Sequence, residues 1–553
     1  MYVNKKYRAK QLLERVQRFK RPRNIQATEC SSNMVIERDV HVPMSDGSYL
    51  SANVYRPNLP GSYPVVLCLH PGGKDILWKN GKPLFPFRFA RQPGHICISD
   101  ETSFEAPDPN FWVPNGYVFM NVDKRGFGIS PKGDAPQMYW GPEEIDDICD
   151  AIEWAGEQSW SNGCVGMLGV SYLAMNQYAT AARHPRHLKA IIPWEGAADL
   201  YEHLLFYGGI PEIGFANFVF GRVSQIGYGV SLQKLQEEHP LRDEFWKGLA
   251  VDFSQIEVPL LNCLNFATQM LHARGSAQAF REAATKDKWM FTHRTGEWTT
   301  YYSPEANALM LKFFDHFLKG ADNGMEQMPR VRLEIREFKE DVKEVRYEDE
   351  YPPKDVEWTE LFLDAGDHTV HAGTPQRDAS GEFDLRSDSL QFSYRFEQDA
   401  EIVGPMTCTL YIELLGCEDA YLFAGAQKFH EGKEVEFEGA YGFANDVVTK
   451  GAIRCALRKA KRDEERPYLV HYDFDELEPV RPGQIVKVVI SLENQATYYR
   501  KGDELRFTIQ GRNLISGKII HQPFNFPLNE KGHCRVYTGK EHLSSLLVPF
   551  IWK

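Results

Sequence analysis

Gly166-Met167-Leu168-Gly169-Val170-Ser171-Tyr172 sets a serine between a buried-looking apolar run and a helix. Cys164–Leu168 reads as a strand, and Tyr172–Arg183 carries apolar residues at helical spacing. A serine in the tight turn between the two has the nucleophile-elbow arrangement. The turn lifts its oxygen above the sheet, and the helix start favours developing negative charge. Gly169, two residues before the serine, lets strand and helix approach closely. The motif departs from G-x-S-x-G: Leu173 stands where the second glycine would be, and the small residue comes one later, as Ala174. The competing reading of Ser171 is a plain helix cap.

Outward from the elbow, strands alternate with helices. Tyr63–Leu69, Tyr117–Asp123, Leu188–Pro193, Pro259–Cys263 and Trp289–His293 are strand-like, and Glu143–Gln158 and Leu309–Lys319 are helical, the latter stopping at Gly320. That alternation predicts a mainly parallel sheet covered on both faces. From Asp199 to Gln255 the strand pattern lapses into helical and Gly-rich sequence, as in an inserted cap. Beyond residue 331 only short alternating strands remain, such as Thr407–Glu413, Gln484–Ile490 and Glu504–Ile509, the pattern of a β-sandwich. The expected organisation is an N-terminal basic arm (1–34), an α/β domain in two parts (35–198 and 256–330), a helical cap (199–255) and a β-sandwich (331–553). Residues 5–23 hold nine Lys or Arg against Glu14, with Leu12, Leu13, Val16 and Phe19 at helical spacing. They predict an amphipathic helix ending at Pro22, packed on the main body with its charges in water.

Composition excludes several classes. Among 553 residues, 63 Lys and Arg against 76 Asp and Glu give a net charge of −13, so nucleic acid is not an expected partner. No apolar run has the length of a membrane span. The ten Cys are without CxxC pairs, which supports neither a disulfide scaffold nor a zinc module and points to a cytoplasmic, reducing location. With no His-Glu-x-x-His, P-loop or dinucleotide fingerprint, neither metal nor cofactor is expected.

At Gly169-Val170-Ser171-Tyr172 the sequence resembles the cocaine-esterase-like (CocE/NonD) hydrolases, relatives of Xaa-Pro dipeptidyl-peptidases and α-amino-acid ester hydrolases. The resemblance runs through Asp123–Ser130, Gln158–Gly163, Pro193-Trp194-Glu195-Gly196, Phe313–Gly320 and Tyr499–Arg506. It implies an α/β-hydrolase domain with a helical cap and a C-terminal jelly roll. The implied chemistry is acyl transfer from a small ester or amide to Ser171 and then to water.

The expected partners of Ser171 depart from the family pattern. Where the family has an oxyanion-hole tyrosine, this chain has Gly72 in His70-Pro71-Gly72-Gly73-Lys74. The backbone N–H groups of Tyr172 and of Gly72 or Gly73 are then the expected oxyanion donors, with His70 structural. The family's aspartate position holds Thr268, and no Asp or Glu occurs between Pro259 and Arg281. The family's histidine position falls near Glu297, with His293 four residues earlier. That makes His293 the expected, displaced base, with Glu195 as a residue able to orient it. Two classes follow: a hydrolase with a rearranged triad, or a hydrolase-fold protein that has lost turnover and binds a ligand. A large jelly roll also offers surface for self-association.

Overall fold

The computed structural model describes residues 25–553 apart from 76–77, 80–81, 84–93, 217–218, 222–226, 340, 441–444 and 516–523. The predicted basic helix lies outside the described residues. Ten strands form the main sheet: β1 Met34–Pro43, β2 Tyr49–Pro57, β3 Tyr63–His70, β4 Val118–Asp123, β5 Ser161–Val170, β6 Leu188–Trp194, β7 Leu260–Asn265, β8 Lys288–His293, β9 Val331–Arg336 and β10 Val342–Glu348. Their spatial order is β1-β2-β4-β3-β5-β6-β7-β8-β9-β10, parallel from β4 to β9 and antiparallel at both ends. The central strands are buried on both faces, which is why β3, β4 and β7 read as continuous apolar runs rather than alternating ones. Helices α1 Pro142–Gly156, α2 Tyr172–Ala181, α3 Ala273–Glu282, α4 Glu297–Tyr301 and α5 Pro304–Lys319 connect or flank them. Helix α5 ends at left-handed Gly320, as the sequence suggests, but begins five residues before Leu309, at Pro304, with Ser303 as N-cap.

The segment after β6 holds a π-helical turn at Tyr201–Leu205, short helices at Leu232–Glu238 and Glu244–Lys247, and a 3-10 turn at Phe253–Gln255. From Glu357 onward the described chain is strands, turns and one 3-10 turn at Cys455–Leu457, building a β-sandwich in the jelly-roll style. The fold is an α/β-hydrolase sheet with an inserted cap and a β-rich C-terminal part. The sandwich also reaches the top of the sheet. Arg294, next to the end of β8, donates to the carbonyls of Val447 and Val448 at 2.6 and 2.8 Å. Gln269, in the turn after β7, donates to the Val448 carbonyl at 3.1 Å. One sandwich turn therefore grips both loops that stand beside Ser171.

Candidate active site

Ser171 sits where β5 gives way to α2, with φ 58° and ψ −112°, a conformation rare for a residue with a side chain. A Cβ on Gly169 would fall 2.4 Å from Leu173 Cβ, so the crossing needs glycine there. The Ser171 backbone is fixed on both sides: its N–H donates to Trp194 O at 3.1 Å, and its carbonyl accepts from Ala174 and Met175 N–H. Its hydroxyl makes no capping bond to the helix. The cap reading therefore fails, and Ser171 Oγ instead lies 3.2 Å from His272 Nε2.

His272 comes from the turn after β7, the loop in which the sequence offers no acid. Thr268, at the expected aspartate position, spends its hydroxyl on the Asn265 carbonyl at 3.0 Å, and its own carbonyl receives the His272 N–H at 3.1 Å. Thr268 thus shapes the turn that delivers His272. Burial lowers the His272 imidazole pKa to about 3 and so keeps the ring neutral. On the far side of the ring, Nδ1 faces Glu297 Oε1 at 3.7 Å. Neither that nitrogen nor either Glu297 oxygen has a hydrogen-bond partner among the described residues. Glu297 opens α4 after β8, and burial together with the charges of Glu195 and Glu105 holds its carboxyl well above the usual range. A hydroxyl, a neutral imidazole and a buried glutamate in series are the residue types that an activated nucleophile, its base and its orienting acid require.

His293 lies elsewhere than expected. Its Nε2 is 3.0 Å from Glu195 Oε1, and its Nδ1 accepts the Thr295 N–H at 3.3 Å. A ring nitrogen that receives a backbone N–H carries no proton, so Nε2 holds it and donates it to Glu195. Both nitrogens are spent, and the geometry brings His272 rather than His293 to Ser171. Gly72 is also committed: its N–H donates to His70 Nδ1 at 2.9 Å, while His70 Nε2 lies 2.7 Å from the Phe104 carbonyl. His70 is the structural pin the sequence suggests, kept neutral by burial with its pKa near 4. Gly73, at φ 107°, follows in a conformation that favours glycine. The same loop is anchored by Lys74, whose N–H donates to Asp123 Oδ1 at 2.6 Å and whose ammonium meets Asp39 and Asp75 at 2.7 and 2.6 Å. Tyr172 N–H occupies the first helical position of α2, where backbone donors have no partner within the helix. Its hydroxyl donates to Glu144 at 2.7 Å, and its ring packs with Trp140 and Phe220 into an aromatic wall beside the elbow. Away from this site, two carboxylate–histidine clusters, Glu153–Glu157–His187 and Asp364–Asp367–His371, gather ligand-type atoms within 4.8 Å. Arg186 and Arg377 stand among them as counter-charges.

The residue that sequence reasoning misses is His272. Its signal lies in the pattern of departures: a carboxylate at the family's histidine position implies that the imidazole comes from the acid's loop, and His272 is the one histidine between Pro259 and Arg281.

A solved structure with this architecture is a CocE/NonD family hydrolase from Staphylococcus aureus, 34% identical, with a TM-score of 0.87 over 94% of each chain. The present chain belongs to the CocE/NonD hydrolase family. Within this CocE/NonD chain, residues 46–220 match the X-Pro dipeptidyl-peptidase (S15) family, and residues 323–547 match the X-Pro dipeptidyl-peptidase C-terminal non-catalytic domain. Cocaine esterase from Rhodococcus sp. (strain MB1 Bresler) is 26% identical over 419 residues, 63% of this chain and 66% of that protein. A putative serine esterase from Mycobacterium bovis is 32% identical over 115 residues, 21% of this chain and 18% of that protein. The CocE/NonD chain thus matches just under two thirds of the length of the first and a fifth of the second. An α-amino-acid ester hydrolase, 17% identical with a TM-score of 0.70, shares the fold.

Proposed function

We propose that this CocE/NonD hydrolase cleaves a small carboxylic ester or amide through an acyl-enzyme on Ser171. His272 Nε2 takes the hydroxyl proton as Oγ attacks the carbonyl carbon, then gives it to the departing alcohol or amine. Water, deprotonated by the same nitrogen, releases the acid and restores Ser171. Glu297 holds the Nδ1–H tautomer of His272 and faces the imidazolium as it forms. The oxyanion is met by the N–H of Tyr172 and, because Gly72 N–H is spent on His70, by that of Gly73. The observation that carries the reading is the contact between Ser171 Oγ and His272 Nε2, 101 residues apart in sequence, at a strained elbow that frees the hydroxyl from capping. The 3.7 Å separation of His272 from Glu297 is looser than a hydrogen bond, as is common in free enzymes before substrate closes the site. A cytoplasmic location is supported by ten free cysteines, and no helix among the described residues is long and apolar enough to cross a membrane.

A fluorophosphonate probe tests the reading, since only an activated serine reacts. The wild type takes up one probe per chain and Ser171→Ala takes up none, at a thermal midpoint within a few degrees, since one side-chain hydrogen bond contributes only ~1 kcal/mol. A wild type that neither labels nor turns over small esters makes the chain a binding protein on a hydrolase fold. Wild-type turnover in Ser171→Ala removes Ser171 from the chemistry.

A further inference from the structure

We propose that Glu195 is a positioning residue of this site: it brackets the loops carrying the base and the acid, and adds a second negative charge against which His272 becomes imidazolium. The inference rests on the reading of Ser171, His272 and Glu297 given above.

Glu195 follows β6 directly and is fully buried, in a left-handed conformation at φ 60°. Its Oε1 accepts from His293 Nε2 at 3.0 Å, and its Oε2 accepts from Asn265 Nδ2 at 3.0 Å. Asn265 ends β7, whose turn leads to His272, and the same amide donates to the Thr295 carbonyl at 3.2 Å. His293 ends β8, whose loop leads to Glu297, and its Nδ1 receives the Thr295 N–H at 3.3 Å. The residue before Glu195, Trp194, accepts the Ser171 N–H. Glu195, Asn265 and His293 thus form one hydrogen-bonded block joining the strand ends from which the acid and base loops issue, with the nucleophile's own backbone tied to the adjacent residue.

Stability alone does not explain a carboxylate here. Atoms of Glu195, His272 and Glu297 lie within 4.8 Å of one another, and a second such set joins Glu195, His293 and Cys263 of β7. Glu105 faces the same space from the loop before the Pro109–Trp112 helix, held by Trp298 Nε1 at 3.1 Å. Arg332 and Glu334 of β9 stand beyond Cys263. Three buried glutamates with no cation between them among the described residues are costly to gather, and burial with like charge nearby pushes the carboxyls of Glu105 and Glu297 up. The arrangement does favour a positive charge arising on His272, the group that gains one in each half-reaction.

Glu195→Gln keeps the shape and removes the charge. We expect kcat/KM to fall roughly 10- to 100-fold, the loss seen for outer partners that orient metal-bound histidines, with KM little changed. The acid limb of the pH profile should move down by about one pH unit. Losing a negative neighbour lowers the pKa of His272, and losing a like charge lowers that of Glu297, so the limb moves the same way whichever group sets it. Glu195→Asp keeps the charge but withdraws it from the bracket: activity falls and the limb stays. His293→Gln retains an N–H donor toward Glu195 and also leaves the limb in place. A merely structural residue would give Glu195→Gln a loss with no shift of the limb, and that result overturns the proposal. If Glu195→Gln does not fold, Glu195→Asp with wild-type activity overturns it instead. Probe uptake by the wild type with a wild-type profile in Glu195→Gln removes Glu195 and leaves the triad standing; no uptake by the wild type removes both.

Discussion

His272 and His293 invite comparison because their surroundings are so alike. Each lies past or at the C-terminal end of a central parallel strand, each is buried, and each stands beside a buried glutamate. They differ in what their nitrogens do. His293 donates through one nitrogen and accepts a backbone N–H through the other, so no lone pair is left for chemistry. His272 offers Nε2 to a hydroxyl and leaves Nδ1 facing a carboxylate across a gap. Strand-end placement and a neighbouring acid are therefore poor criteria for a base. An uncommitted lone pair within reach of the nucleophile is the better one.

The largest expected effect comes from His272→Gln, which removes that lone pair while keeping most of the volume. Steady-state ester hydrolysis should fall by about 10⁴-fold or more, because serine without a base is a poor nucleophile near neutral pH. A loss of this size in His293→Gln with little loss in His272→Gln would reverse the comparison. Glu297→Gln comes next, at roughly 10²- to 10⁴-fold in kcat, since an amide neither fixes the tautomer as a carboxylate does nor balances the imidazolium. Activity retained in that variant, and lost only in Glu195→Gln, would make Glu195 the acid. The smallest effect on turnover is expected from Glu105→Gln, which touches neither ring, and here stability is the readout. Burial raises the Glu105 pKa to about 8. Between its ordinary value of 4.5 and that raised value, the folded state keeps a proton that the unfolded state has released. Its stabilising contribution is complete below the unfolded value and is lost as pH rises through the folded one. Glu105→Gln escapes the loss, so its gain in denaturant midpoint over wild type should grow from pH 5 to pH 8. In unfolding free energy the gain is on the order of a few kcal/mol; a gain that does not grow with pH would show that Glu105 carries no raised titration.

The sheet is legible in the sequence because its strands are buried on both faces and announce themselves as apolar runs between helices, and Ser171 is legible because the elbow needs a local sequence. Its partners are not. Which side chain meets Ser171 Oγ depends on turns that bring residues a hundred positions apart together, and His272 has no local signature: it follows Met270-Leu271 and precedes a helix. The family pattern asks for an acid after β7 and an imidazole after β8; neither is in place, and the nearest histidine in the second loop is His293, which the fold commits to Glu195. Gly72 stands at the oxyanion loop by its position in His70-Pro71-Gly72-Gly73. That His70 turns back to take the Gly72 N–H is a bond between residues two apart, and its direction depends on the path of the loop rather than on the residue types.

His272 is also the N-cap residue of α3, a ten-residue helix. The amide dipoles of a helix sum to a partial positive charge at that end, which opposes a cation forming there. In the proposed mechanism the proton acceptor is thus seated at the electrically unfavourable terminus, and each proton taken from Ser171 would work against the field of α3. A base so placed has little tendency to hold a proton at rest and surrenders it readily to a leaving group. In that mechanism Glu297 and Glu195 would be the counterweight to that field, offsetting the helix end locally, at the ring, during the short time the ring is charged.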